Sequence, residues 1–451
     1  MRAPSWLVFH SCKKLICVRK NMNLTDCVAE AKFQAEAHLR ARLIPIREHD
    51  MSASPATEPQ HVRAAPTHGD PYPYYGRLAR EQAFFRDDAN DWWVAASAAA
   101  VREVLNSELC LTRPRSEVVP IALASGPMAE IFGRLVRLRD DSMRAPLKDA
   151  VTAALRGLDL RHIAELAKTR ARELDVEISG PLDASKTTQF MFALPVQVIA
   201  QLLGIPRERY ADVMGWLGDY GAAAAAAATG IPAPSAAIFE KGHRGAQALL
   251  DLGFAIAHDD ATRGPLLTAL MREASRAGCN DEKDGIANAI GYMVQGFGAM
   301  AGLIGLVLLA LARRPALLAE VKADRKLIRP LVQEVARFDP GTNSTFRFMA
   351  RDGEIAGHRL REGDLIIVLL AAANRDPALN PDPDRFDIGR ADRKYLEFGT
   401  GPHACPADKI APLIVEIAVD HLLTRGVPLQ TLEGALTYAA SGHIRTPLFN
   451  R

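Results

Sequence analysis

The sequence predicts a mainly α protein with a small β region, an α+β fold in one large domain. Most of the chain after residue 97 has helical periodicity, whereas alternating apolar patterns are short and lie towards its two ends. The 451 residues are 48% hydrophobic and 24% charged with a formal net charge of +2. This composition is typical of a globular enzyme, and it gives no reason to expect a nucleic-acid partner.

The elements follow in order from residue 70. The stretch "DPYPYYGRLAREQAFFRDDANDWWVAAS" (70–97) predicts a short helix followed by a strand. Helical patterns then cover 98–106, 126–175, 187–203, 236–258 and 325–338. Short strands joined by a "REGD" turn are expected over 346–371, and a last helix is expected to begin at Cys405. The alanine-rich stretch at 221–237 is compatible with either a helix or a mobile lid.

Residues 286–312 form an uncharged run that is long enough to cross a bilayer. It contains Asn288, Gln295 and several glycines, and a soluble-type amphipathic segment follows it directly. We therefore predict a long central helix buried inside the protein and no transmembrane segment.

The first part of the chain differs from the rest. Residues 1–50 contain two short apolar runs broken by lysines, a poor match to a signal peptide, and are expected to be a disordered extension or a start-site artefact. A short membrane-surface anchor is the alternative interpretation. Residues 51–69 are expected to be a disordered lead, and 70–451 the catalytic domain. The six cysteines show no paired metal-ligand spacing, which favours a reduced, cytoplasmic setting.

One cysteine stands in an unusual setting, the stretch "FGTGPHACPADKIA" (398–411). Gly399 and Gly401 permit backbone angles that other residues avoid, and Pro406 suits the first position of a helix. The positive end of a helix that began at Cys405 would favour a thiolate. A buried apolar cysteine is the alternative interpretation.

Four motifs, two of which overlap, together resemble the cytochrome P450 family, soluble bacterial type, over roughly residues 70–450. They are "FGTGPHAC", "EVAR" (334–337), "PDPDRFD" (381–387) and "NRDPALNPDPDRF". The resemblance implies a single haem-thiolate fold with a long central helix over the haem. It also implies that the cofactor is haem b and that Cys405 is the axial thiolate ligand of the iron.

The resemblance further implies which residues hold the cofactor. His403 and Arg347 occupy positions that contact the haem propionates in the family. The usual histidine and arginine of the preceding helix are matched by Arg144 and Lys148, which remain cations four residues apart. Pro146 between them predicts that this helix begins or kinks there. The expected cofactor-binding residues are Arg144, Lys148, Arg347, Phe398, Gly399, Gly401, His403 and Cys405.

Glu334 and Arg337 lie three residues apart on one helical face and can form an ion pair. By the resemblance, Arg385 adds a second cation to the same carboxylate. We expect this triad to be structural, fixing the loop that presents Cys405, whereas a solvated surface pair is the alternative.

The central helix departs from the family pattern. Where the family places an acid followed by an alcohol that relay protons to dioxygen, this chain has Gly298 and Ala299. Gln295 lies one turn earlier and either reaches the vacant space or is satisfied by its own helix. The expected substrate-pocket residues are Gln295, Phe297, Asn343 and Ser344, although a capping or turn role is also open for the last two.

Three functions fit these observations. The first is a monooxygenase of specialised (secondary) metabolism that acts on a small molecule bearing polar groups, with a substrate group or water completing the proton relay. The second is a haem-thiolate enzyme that uses peroxide or catalyses a rearrangement or dehydration. The third is a non-catalytic haem-binding protein. For a monooxygenase, electrons are expected from a ferredoxin or flavodoxin-type partner, since the chain has neither a four-cysteine cluster pattern nor a dinucleotide-binding fingerprint.

Overall fold

The computed structural model describes residues 58–450, so the expectation for residues 1–50 lies outside the described part of the chain. Helices dominate it, as expected. They are α1 (Tyr72–Glu81), α2 (Ala98–Asn106), α3 (Pro127–Phe132), α4 (Arg144–Arg156), α5 (Leu160–Ile178), α6 (Ala184–Leu203), α7 (Tyr210–Thr229), α8 (Ala236–Ala257), α9 (Pro265–Arg276), α10 (Glu282–Ala312), α11 (Pro315–Ala323), α12 (Ile328–Phe338), α13 (Leu370–Asn374), α14 (Ile410–Thr424) and α15 (Leu429–Leu432).

The β region is small and draws on distant parts of the chain. Its strands are β1 (Phe84–Asp87), β2 (Trp92–Ala95), β3 (Cys110–Leu111), β4 (Ser344–Met349), β5 (Gly353–Ile355), β6 (His358–Leu360), β7 (Leu365–Leu369), β8 (Leu436–Tyr438) and β9 (Pro447–Phe449). The main sheet has five strands in the order β1-β2-β7-β4-β3, and β2 pairs in parallel with β7. This pairing ties the N-terminal strands to those that follow α12.

Helix α10 is the central element of the helical core. It packs against α6, α8, α9, α12 and α14. By length and composition it could cross a membrane, but 67% of its most apolar window is buried inside the protein. Its apolar side chains are therefore those of a core helix.

Three boundaries differ from the sequence prediction. Residues 58–69 are ordered rather than disordered: Val62 and Ala65 are buried, and the Arg445 guanidinium donates to the Pro66 carbonyl oxygen at 2.9 Å. Polar, proline-rich composition predicted disorder there, but contacts with the C-terminal hairpin supply the burial that composition cannot show. The expected helix over 126–175 is divided into three, and α14 begins at Ile410 rather than at Cys405.

Two open points are also decided. The alanine-rich stretch continues α7 as far as Thr229. Helix α4 begins at Arg144, which places Pro146 in the first turn, where its missing N–H group leaves no hydrogen bond unmade.

Candidate functional site

The cysteine loop is a compact turn between the main sheet and α14. The Cys405 amide donates to the Phe398 carbonyl oxygen at 2.8 Å, which folds the loop back on itself. Gly401 has a φ of +72°, and a Cβ atom on it would lie 2.7 Å from the Leu105 carbonyl oxygen in α2. Only glycine allows this close approach. The prediction that the loop needs glycine for its backbone angles is therefore confirmed at Gly401.

Burial raises the pKa of the Cys405 thiol, although the Ala407 N–H group and the Lys148 charge act in the opposite direction. The expected helix start at Cys405 is wrong, because α14 begins five residues later, and within the protein desolvation outweighs the nearby donors in the pKa of this thiol. A bound metal ion deprotonates a coordinating thiol, and such a thiol fits that role.

Cations without acidic partners surround this loop. The Lys148 ammonium donates to the Ala404 carbonyl oxygen. The Arg347 side chain is 5% exposed and donates to the Phe346 carbonyl oxygen at 2.7 Å. Within residues 58–450, neither of these cations nor Arg144 forms an ion pair with a carboxylate. A buried cation normally has a counter-charge, so the set fits a group that brings carboxylates, as haem b does with its propionates.

His403 has a protein partner. Its Nε2 atom lies 3.0 Å from the Asp140 carboxylate, which also accepts the Thr112 amide and hydroxyl at 2.7 and 2.6 Å. Burial lowers the pKa of His403, and the Asp140 hydrogen bond only partly counteracts this. The sequence did not indicate Asp140, and the expected contact between His403 and a propionate stays a prediction.

The charged network behind the loop confirms the predicted Glu334–Arg337 pair. Both side chains are 0% exposed and their closest atoms are 2.7 Å apart. The Glu334 carboxylate also accepts the Arg393 guanidinium at 2.9 Å and the Asp387 amide at 2.8 Å. Burial acts to raise the pKa of Glu334, but these donors hold it below its usual value.

The prediction for the third member of the triad, Arg385, is wrong. The Arg385 side chain is 70% exposed and pairs with Asp387 at 3.3 Å, so its guanidinium does not reach Glu334. Arg385 contributes only its carbonyl oxygen, which accepts Arg337 Nη2 at 3.0 Å. The chain turns after residue 385 and brings Arg393 inwards instead, a path that motif spacing could not show.

The middle of α10 is accessible to solvent, whereas the residues directly on either side of this stretch are buried. Residues 294–299 retain accessible surface, whereas their neighbours Met293 and Met300 are buried. Gln295 donates its amide to the Gly291 carbonyl oxygen at 2.9 Å, so it is satisfied by its own helix. Gly298 and Ala299 add no side-chain donor. Residues 294–299 are therefore an accessible stretch of a mostly buried core helix.

The other expected pocket residues divide into two groups. Asn343 is 0% exposed, donates to the Pro340 carbonyl oxygen and accepts the Tyr75 hydroxyl, so its amide has a structural role and does not face a substrate. The Ser344 hydroxyl is buried and has no hydrogen-bond partner among residues 58–450. Phe297 is half-buried with its ring 5.0 Å from that of Phe192. Ser344 and Phe297 remain candidates for the pocket.

Glu397 is a buried acid that the sequence prediction missed. Its Oε1 atom accepts the Gly341 amide at 2.8 Å, and its Oε2 atom has no partner in the described residues. A Cβ atom on Gly341 would lie 3.1 Å from the Ala299 carbonyl oxygen and 3.3 Å from this Oε1 atom, so Gly341 packs against both the carboxyl group and the backbone of α10. Burial raises the pKa of Glu397 to about 8. The sequence feature that could have indicated this acid is its position directly before "FGTG".

The long core helix, the cysteine loop and the cations around it define the haem-thiolate class of proteins. Known proteins agree with this assignment. Residues 309–425 match the family model "Cytochrome P450". Cytochrome P450 monooxygenase PikC of Streptomyces venezuelae is 28% identical, with 83% of this chain and 89% of that protein covered. Mycinamicin IV hydroxylase/epoxidase of Micromonospora griseorubida is 29% identical, with 63% of this chain and 72% of that protein covered. The crystal structure of CalO2 superposes on this chain with a TM-score of 0.73 at 25% sequence identity, and the superposition covers 88% of this chain and 97% of that one.

The chain is similar to cytochrome P450 proteins in sequence and in fold. It is a cytochrome P450-like monooxygenase, and its cofactor is protoporphyrin IX haem bound through a cysteine.

Proposed function

We propose that Cys405 is the axial ligand of the haem iron and that the enzyme oxidises a small molecule bearing polar groups, with a substrate group or water delivering the proton. One observation carries this proposal: the accessible stretch of α10 presents Gly298 and Ala299, and the nearby Gln295 amide is already bonded to Gly291. When bound, the haem supplies dioxygen activation, to which an axial thiolate contributes electron density.

The residues of this chain that would hold the cofactor are the cations near the cysteine loop. Arg144, Lys148 and Arg347 supply cations for the propionates. The Thr446 hydroxyl donates to the Gly298 carbonyl oxygen at 3.2 Å. That hydroxyl is therefore engaged with the helix backbone. In this proposal, a water molecule or a hydroxyl or carboxyl group of the substrate takes the role of the hydroxyl that Ala299 lacks.

The comparisons support a role in specialised metabolism, because one relative is named for hydroxylating or epoxidising mycinamicin IV. They also support a cytoplasmic enzyme served by a ferredoxin or flavodoxin-type electron donor. The second candidate is an enzyme that uses peroxide or catalyses a rearrangement. The absence of the acid and the alcohol favours it too, because neither reaction needs the proton relay that activates dioxygen. A non-catalytic haem protein is the third.

A double variant separates these mechanisms. Gly298→Asp with Ala299→Thr restores a proton donor, and a Cβ atom on Gly298 meets only the Thr446 hydroxyl, at 3.9 Å. General acid catalysis is worth about a hundredfold or more where it is absent. We expect faster NAD(P)H consumption with non-native substrates and little gain with the native one, measured with a surrogate ferredoxin pair.

A large gain on the native substrate would contradict substrate assistance. No gain with any substrate, together with turnover driven by peroxide alone, would favour the second candidate. Failure of both oxidants with every substrate would favour the third.

A further inference from the structure

A cleft of about 720 Å³ lies between α5, α6 and the first turns of α7. This volume is within the range of small-molecule sites in proteins. Among the described residues that line it, none is expected to hold the haem or to line the substrate pocket. One lining residue, Phe192, packs its ring 5.0 Å from that of Phe297 in α10. The cleft is therefore close to α10 but is a different space from the predicted haem site.

Most of the surface inside the cleft is apolar. Leu174 and Ile178 of α5 and Ala193 of α6 line it and are buried in the fold. Met214 of α7 is half-buried, and Ala211, one turn earlier, is exposed and so lies at the rim. Such walls favour the burial of an apolar molecule, because its hydrocarbon surface leaves water on binding.

One polar side chain lies in this apolar surface with an unpaired atom. Gln197 of α6 lines the cleft and is only 6% exposed, and its Oε1 atom has no hydrogen-bond partner among residues 58–450. Leaving a buried polar atom unpaired is unfavourable. A half-turn of the amide exchanges its oxygen and nitrogen, so a ligand hydroxyl or amide, which can both donate and accept, suits Gln197 in either orientation.

The charged residues of the cleft offer nothing to an ionic ligand. Arg207 pairs with Glu177 at 2.7 Å, and the buried Arg170 pairs with the same carboxylate. Glu208 is exposed to solvent, which screens its charge. A charged ligand would therefore lose its hydration without gaining a buried, unpaired counter-charge.

We propose that this cleft binds a neutral, largely apolar small molecule through a hydroxyl or amide group that bonds to Gln197. The apolar walls bury the hydrocarbon part of the molecule, and the buried amide fixes its polar group. The site goes beyond the proposed oxidation and does not depend on it, because the cleft and the predicted haem site share no lining residue.

Four ligands with the same carbon chain and different head groups test the site: decan-1-ol, decanamide, decanoate and decylammonium. The haem-loaded protein carries ¹³C in its methionine methyl groups, and imidazole ligates the iron so that binding beside the iron is suppressed. Met214 reports binding in the cleft, and its resonance is assigned by its loss in Met214→Leu. We expect the alcohol or the amide to shift this resonance saturably, with about tenfold or higher affinity than either ion.

Three variants locate the ligand. Gln197→Leu should weaken binding of the alcohol or amide by about fivefold, the worth of one hydrogen bond between neutral groups. Gln201→Leu is the matched control, because this exposed glutamine of the same helix does not line the cleft, and its affinity should equal that of the wild type. Ala211→Trp should abolish the Met214 shift, because an indole at the rim fills the cleft from an exposed position.

Four results would overturn the assignment. They are no saturable shift of the Met214 resonance with any of the four ligands, an ion that binds as tightly as the alcohol and the amide, unchanged affinity in Gln197→Leu, and a shift that survives Ala211→Trp. Haem content and circular dichroism equal to those of the wild type show that each variant is folded, so a loss of binding is a property of the cleft.

Discussion

Glu397→Gln tests the buried acid next to α10 through the pH dependence of stability. The Glu397 side chain is nearly inaccessible and its pKa is raised from 4.5 to about 8, with burial as the largest cause. Between these two values the folded protein keeps a proton that the unfolded chain has released. The stability contributed by this group is therefore fully present below about pH 4.5 and is lost as the pH rises through about 8.

The magnitude follows from the same two values. Each factor of ten in proton affinity is worth about 1.4 kcal/mol, so this carboxyl group can lower the free energy of unfolding by up to about 5 kcal/mol between acid and alkaline pH. Glutamine has nearly the same shape and can still accept the Gly341 amide, but it does not titrate. The variant and the wild type should have similar stability at about pH 5, and the variant should be the more stable at about pH 8.

Urea unfolding of the haem-loaded protein, followed by circular dichroism over this pH range, measures the difference. Glu354→Gln, which removes an exposed carboxylate in β5, is the matched control and should parallel the wild type. Parallel pH profiles for wild type and Glu397→Gln would refute the reasoning, because they would mean that Glu397 is ionised in the folded protein throughout.

Other substitutions test the remaining parts of the site. Arg393→Gln should destabilise the protein by about 3 kcal/mol in urea unfolding, because it removes a partner of a fully buried carboxylate, whereas Arg385→Gln should cost less than about 1 kcal/mol. Equal losses of stability in the two variants would mean that Arg385 also stabilises the Glu334 carboxylate. Cys405→Ser should abolish the strongly red-shifted Soret band of the reduced carbon monoxide complex; a variant that keeps the band would exclude Cys405 as the ligand. Starting the chain at Met51 should leave haem content and melting temperature unchanged, and a loss of haem would show that residues 1–50 are structural.

Much of this site could be predicted from local sequence. The glycines before Cys405, the Glu334–Arg337 spacing and the uncharged central run each depend on backbone conformation or helical periodicity, which act over a few residues. The replacement of the acid and alcohol by Gly298 and Ala299 was visible for the same reason, since it needs only the alignment of one helix.

The tertiary structure decided what depends on distant partners. Which arginine reaches Glu334 depends on how the chain turns after residue 385, and the protonation of Glu397 depends on atoms from α10 and from the loop after α12. Arg134 and Arg139 look alike in the sequence, but only the fold gives the first of them Asp284 and the second Asp141 as partners. The reason is physical: periodicity and backbone preference are local, whereas desolvation and charge pairing are set by neighbours that the fold brings together from far along the chain.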